Sequence, residues 1–156
     1  MANELLSVYQ NFVWRMESIT PTCTKSAESF QRMDPQITDP SESTALTRSF
    51  SVAYDGSGRA GELEDLWARM GNHTFILEVN YVDLSWADLQ EIVIQDRGDT
   101  IKTLRDPASW VGTSAAASDT QIGLFDRQYV RNEVINQGSF WTNRFEFACT
   151  VREVES

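Results

Sequence analysis

"FWTNRFEFACTVRE", residues 140–153, decides the fold. Phe145, Phe147, Cys149 and Val151 fall on one side of a strand. Arg144, Glu146, Thr150 and Arg152 fall on the other, with small Ala148 among them. Side chains alternate between the faces of a strand, so this strand has one dry face and one wet one. Upstream, "RQYVRNEVIN" (127–136) also reads as a strand, and "QGS" (137–139) between the two marks a hairpin. A shorter strand-like run, "IGLFD" (122–126), precedes them.

Two further strands share the pattern. In "ALTRSFSVAY" (45–54), Leu46, Phe50, Val52 and Tyr54 alternate with Thr47, Ser49, Ser51 and Ala53. In "HTFILEVNYV" (73–82), Phe75, Leu77, Val79 and Tyr81 share a face, while Ile76 and Val82 on the other face mark a central strand.

Two segments have helical spacing. Leu5, Val8, Phe12, Met16 and Ile19 make one stripe in "NELLSVYQNFVWRMESI", with Asn3 as N-cap and Pro21 beyond the end. The second helix starts at Ser85, with Asp88 three residues on and Leu84 placed to staple to Leu89. Trp86, Leu89, Val93, Ile101 and Leu104 form its predicted stripe. Gly98 weakens its middle by about 1 kcal/mol relative to Ala, which makes it a candidate kink. The order is helix, strand, strand, helix, strand, strand. The predicted class is α+β: a mostly antiparallel sheet of four to five strands with two main helices on one face.

At 156 residues the chain is expected to be a single domain, 1–156, with a polar excursion at 20–44 broken by Pro21, Pro35 and Pro40. Within that excursion "SAESFQRM" is expected to form one or two helical turns through Ala27, Phe30 and Met33. A second polar loop runs through "DPASWVGTSAAASDTQ".

The formal net charge of −10 argues against a broad nucleic-acid-binding surface, which needs clustered Lys and Arg. Two cysteines are too few for a disulfide framework, and with one histidine they do not space a zinc site. Cys149 reads as a buried small hydrophobe. The start "MANELLSVYQ" is not read as a signal peptide, and no run reaches the ~18 apolar residues of a spanning helix. The expected site of synthesis is the cytosol, with no membrane partner.

Chemistry-bearing motifs are few. "GSGRAG" (56–61) satisfies G-x-G-x-x-G between a strand and the helix-like "ELEDLWARM". Asp55, Glu62, Glu64 and Asp65 crowd the place where a pyrophosphate would sit, and the preceding strand alternates instead of being apolar throughout. A glycine loop between two strands is the preferred reading, and a small nucleotide-binding enzyme the remoter alternative. His73 reads as a loop or strand-edge residue rather than a base. Asp83, Asp88, Glu91, Asp96 and Asp99 could be imagined as a magnesium cluster, but Asp88, Glu91 and Asp99 lie near one solvent-facing side of the helix, and a solvated face is the preferred reading. No catalytic, cofactor or metal residue is assigned. Trp67, Trp110 and Trp141 lie in or beside loops and strand ends, where aromatics are more often core edges but are also the residue type enriched in interface hot spots. The candidate subunit or tail interface residues are Trp110, Arg59, Trp67, Arg144 and Arg152.

The succession "ELLSVYQNFVWRMESI", "TRSFSVAY…HTFILEVNYVD", "DLSWADLQEIVIQDRGDTIKTL" and "YVRNEVIN" to "FWTNRFEFACTVRE" covers most of the chain. It resembles the tail terminator (tail completion) proteins of long-tailed bacteriophages and gene-transfer particles. The resemblance implies a small α+β subunit of a ring, commonly a hexamer. Such a ring caps the head-proximal end of the tail tube, ends its polymerisation and joins the head. Its implied partners are copies of itself, the major tail tube protein and the head connector protein, with DNA passing through the lumen without specific binding. The implied location is the virion, after assembly in the host cytoplasm. The implied role is not enzymatic and needs no cofactor. Another neck or head-closure protein is the nearest alternative.

Overall fold

The computed structural model describes residues 4–26, 28–32, 47–59, 69–82, 85–105, 124–138 and 140–153. The elements, in chain order, are α1 (Glu4–Ser18), β1 (Gln31–Arg32), β2 (Ser49–Arg59), β3 (Arg69–Tyr81), α2 (Trp86–Arg105), β4 (Leu124–Asn136) and β5 (Trp141–Glu153). The five strands form one sheet in the order β1-β2-β3-β5-β4. β1 runs parallel to β2, and the other pairs are antiparallel. The chain is therefore α+β, with a mostly antiparallel sheet and two helices packed on one face.

The alternation read from the sequence sets that face. Phe75, Leu77, Val79 and Tyr81 of β3 lie opposite Phe147, Phe145, Asn143 and Trp141 of β5. Over them pack Val8, Phe12 and Met16 of α1 with Leu89, Ile92, Val93 and Leu104 of α2. Phe12 sits at the centre, its ring 4.9 Å from Phe75 and 5.7 Å from Phe147. Each such buried phenyl contributes about 1.5–3 kcal/mol of transfer free energy. Ile76, on the opposite face of β3, is buried as a central strand requires.

The ends of the elements depart from the sequence reading in several places. β2 begins at Ser49 rather than 45, because Thr47 and Arg48 form a turn and Arg48 has φ +67°. β3 begins at Arg69, so Arg69 and Met70 belong to a strand and not to a helix. Gly56–Arg59 extend β2 instead of forming a loop: Gly58 pairs with Asn72 and Arg59 with Gly71. A bulge between Tyr54 and Ser57 accommodates Gly56 at φ +114°, a conformation that favours glycine. The expected helical turns around Ala27–Met33 do not form over residues 28–32, where Gln31 and Arg32 pair with Ser49 and Phe50 as β1.

β4 is one continuous strand where two runs were expected, with bulges between Leu124 and Asp126 and between Tyr129 and Arg131. The second bulge inserts Val130 and reverses the phase. Tyr129 lies opposite Phe147, yet Asn132 lies opposite Phe145. The predicted hairpin is present. The Asn136 side chain accepts a hydrogen bond from the Gly138 amide at 2.8 Å, and Gly138 takes φ +96°.

α2 starts as its capping signal predicts, with the Asp88 amide donating to Ser85 Oγ at 3.3 Å. It runs through the exposed Gly98 as one continuous helix, so the chain does not break there. Trp86 does not join the buried stripe. It is 62% exposed, while Ile92, Asp96 and Thr100 complete the stripe instead.

Candidate functional site

The densest polar site in the core is built around Arg48. Its Nε donates to Asp96 Oδ2 at 2.8 Å and its Nη2 to Asp96 Oδ1 at 3.0 Å, a two-pronged pair. The remaining donors reach back to the chain after α1: Nη1 to the carbonyls of Ser26 (3.2 Å) and Glu28 (2.6 Å), and Nη2 to that of Cys23 (2.9 Å). These bonds fasten the segment to Arg48, and Gln31 and Arg32 pair with β2 in place of the expected helical turns. The guanidinium also lies 5.6 Å from the Phe30 ring centroid. Tyr81 Oη donates to Asp96 Oδ2 at 2.8 Å.

Asp96 is therefore no member of a solvated carboxylate face: it is buried at 1% exposure. Burial pushes its carboxyl above the usual 3.8, against the opposing pull of Arg48 and Tyr81. Burial, reinforced by the Asp96 charge, holds the Tyr81 phenol well above its usual 10. The surface around this clamp is also tied down. The Thr22 amide and hydroxyl both donate to Asp99 at 2.9 Å. Lys25 lies 3.4 Å from Glu91 and 3.7 Å from Asp88, and those charges raise its pKa, Glu91 most. Residues 20–26 of the predicted excursion are thus a strap along α2, and residue 27 lies outside the described residues. Residues 33–44 lie outside the described residues.

A second arginine pair closes the other end of α2. Arg15 Nη1 donates to the Thr103 carbonyl at 3.2 Å, and Arg127 Nη1 to the Leu104 carbonyl at 2.6 Å. Cations at a helix C-terminus complement its dipole and its unsatisfied carbonyls. Arg127 also donates to Asn11 Oδ1 at 2.9 Å and lies 4.5 Å from the Phe12 ring centroid. His73 is likewise a core residue. It lies in β3 at 1% exposure, with Nδ1 2.9 Å from Tyr54 Oη, which corrects the loop or strand-edge reading.

These polar sites serve the fold. The exposed surface has a different character. Trp86 packs against Trp141 with ring centroids 5.2 Å apart, joining the start of α2 to the start of β5. Ile94, a helical neighbour two turns on, is 66% exposed, and Val134 of β4 is 43% exposed. Arg97 of α2 reaches across to β4, its Nη2 donating to Tyr129 Oη at 3.3 Å with the guanidinium 5.5 Å from that ring centroid. Trp141 was noted from sequence as a strand-end aromatic. The sequence reading puts Trp86 in the buried stripe and does not single out Ile94, although their spacing of eight puts them on one helix side.

Of the five candidate interface residues, Trp67 and Trp110 lie outside the described residues. Arg59 falls at the end of β2 and Arg152 near the end of β5. Arg144 lies on the helix-free face of β5, half-buried, 3.7 Å from Glu133. Glu133 is 3.8 Å from Arg131, which is 3.7 Å from Glu146, so this face carries a self-paired ladder of charges. The structure does not bring Arg144 together with the aromatic flank, which belongs to the helix side.

The glycine motif does not form a dinucleotide site. Its first four residues lie in β2, and β2 and β3 are antiparallel neighbours, whereas such a site needs a parallel β-α-β unit. Among the described residues no group of three or more His, Cys, Asp or Glu is placed to hold a metal, and no helix is long and apolar enough to cross a membrane. No protein-family model matches this chain, and no curated protein matches it.

Proposed function

We propose that the chain is a ring-forming virion assembly subunit of the tail terminator type. In this role several copies, commonly six, cap the head-proximal end of a phage tail tube, end its polymerisation and present a joining surface to the head connector. The observation that carries the reading is the surface contrast. Buried polar groups are committed to holding helices, strap and sheet together, while large apolar side chains are left exposed beside α2 and β4. That is the profile of a subunit that works by contact. The α+β order of elements, two helices over a mostly antiparallel sheet, agrees with the same reading.

A negative charge of −10 suits a lumen through which DNA passes, because it repels phosphate. No catalytic step, cofactor or membrane contact belongs to this role. The test is electron microscopy of the purified protein, alone and with isolated tail tubes, beside light scattering for mass. Rings, or tubes capped at one end with length fixed, are the expected result. A chain that stays monomeric at high concentration and leaves tube ends free overturns the proposal. Capping of the head's connector instead of the tube would indicate a head-closure protein.

A further inference from the structure

Resting on the ring reading, we infer that the flank of α2 that faces β4 is one half of the contact between subunits, and that its occupant is a second copy of this chain. Trp86, Gln90, Ile94, Arg97 and Ile101 follow one another at spacings of four and three, so they line one side of the helix. From Trp86 to Ile101 this line runs about 22 Å at 1.5 Å per residue. Beside it lie Tyr129, Asn132 and Val134 of β4 and Trp141 of β5.

The charge distribution selects the occupant. The chain carries 23 acidic residues against 13 basic ones. None of those carboxylates belongs to this flank among the described residues. On α2, Asp88, Glu91 and Asp99 lie on the other side, where Lys25 and Thr22 hold them, and Asp96 points into the core. The flank's charged side chain is Arg97. A surface without carboxylates and with one guanidinium fits an acidic partner, and a second copy at net −10 is acidic. Aromatic residues and arginine are also the types that anchor interfaces. The flank meets a different, acidic face of the next copy, and a contact between two different faces is head-to-tail. A head-to-tail contact is the kind that closes into a ring.

The experiment compares Ile94→Glu with Gln10→Glu. Each adds one carboxylate at an exposed helical position, so net charge changes equally, and Glu is no worse a helix former than the residue it replaces in either case. Light scattering across a concentration series and electron microscopy report assembly, and thermal melting reports the fold. Ile94→Glu is expected to keep its Tm and to raise the concentration at half-assembly by about tenfold or more, as loss of an interface anchor does. Gln10→Glu is expected to assemble as the parent does. Arg97→Glu is a second variant, expected to weaken assembly in the same direction. Rings that form equally well in all variants overturn this interface while leaving the ring reading intact. Equal weakening by Gln10→Glu and Ile94→Glu overturns it too, since net charge would then be the cause. A parent chain that assembles neither alone nor on tubes overturns the ring reading and this interface with it.

Discussion

Arg48 combines a left-handed backbone, which costs a non-glycine residue about 1–3 kcal/mol, with a fully buried guanidinium. It is tolerable only because every bond it makes is long in sequence and satisfied in space. Removing the side chain leaves the Asp96 charge buried beside a phenol. Arg48→Ala is therefore expected to cost about 3–5 kcal/mol in urea unfolding, the range for breaking a buried pair. Tyr81 gives a second residue-scale test. Its folded pKa lies well above 10, so the stability it supplies is fully present below about pH 10. That contribution is lost as pH climbs from 10 toward the folded value. Absorbance titration should show Tyr81 ionising only with unfolding, and Tyr81→Phe should remove its part of the alkaline loss. Asp96 was legible as a charge but not as a buried one. Its place in the run Leu89, Val93, Asp96, Thr100, Leu104 is helical core spacing, and that periodicity was the missed signal. Arg48 left no such trace, since its partners lie at residues 23–28 and 96.

At the scale of elements, the strands and helices were legible because their apolar residues repeat at two and at three to four. β3 and β5 follow their periods without interruption and were read correctly in phase. β4 was harder, because Val130 shifts the register midway and puts Tyr129 and Asn132, three apart, on the same face. The glycines were legible as turn signals but not as to which device they serve, a bulge at Gly56 or a hairpin at Gly138. Gly98 serves neither. It is exposed in the interior of α2, with nothing within 4 Å of where a Cβ would stand. Gly98→Ala is expected to stabilise the protein by about 0.5–1 kcal/mol, read as a higher urea midpoint at unchanged slope.

For the whole molecule, the two faces of β5 make opposite demands. Phe147→Asp places a charge between Phe12, Tyr129 and Phe145, and should abolish cooperative melting near the parent Tm. Glu146→Ala removes one partner of a loose, largely exposed ion pair with Arg131 and should cost under about 1 kcal/mol. Comparable losses for the two would contradict the one-sided layering. The distribution of charge over the surface was the least legible property. Composition gives −10 but not where it lies, and the carboxylate-free flank exists only once α2 is turned with Asp88, Glu91 and Asp99 toward the strap.

The clamp also sets an order of events in time. Arg48 can receive the carbonyls of Cys23, Ser26 and Glu28 only after Asp96 is in place, which requires α2 already seated on the sheet. The strap is therefore expected to dock late during refolding and to lift from the native state ahead of global unfolding. The chain carries its own clocks for both: the Cys23 thiol lies under the strap's bonds and the Cys149 thiol in the sheet's interior, neither in a disulfide. Pulsed thiol labelling should protect Cys149 early and Cys23 late, and in native buffer Cys23 should react first.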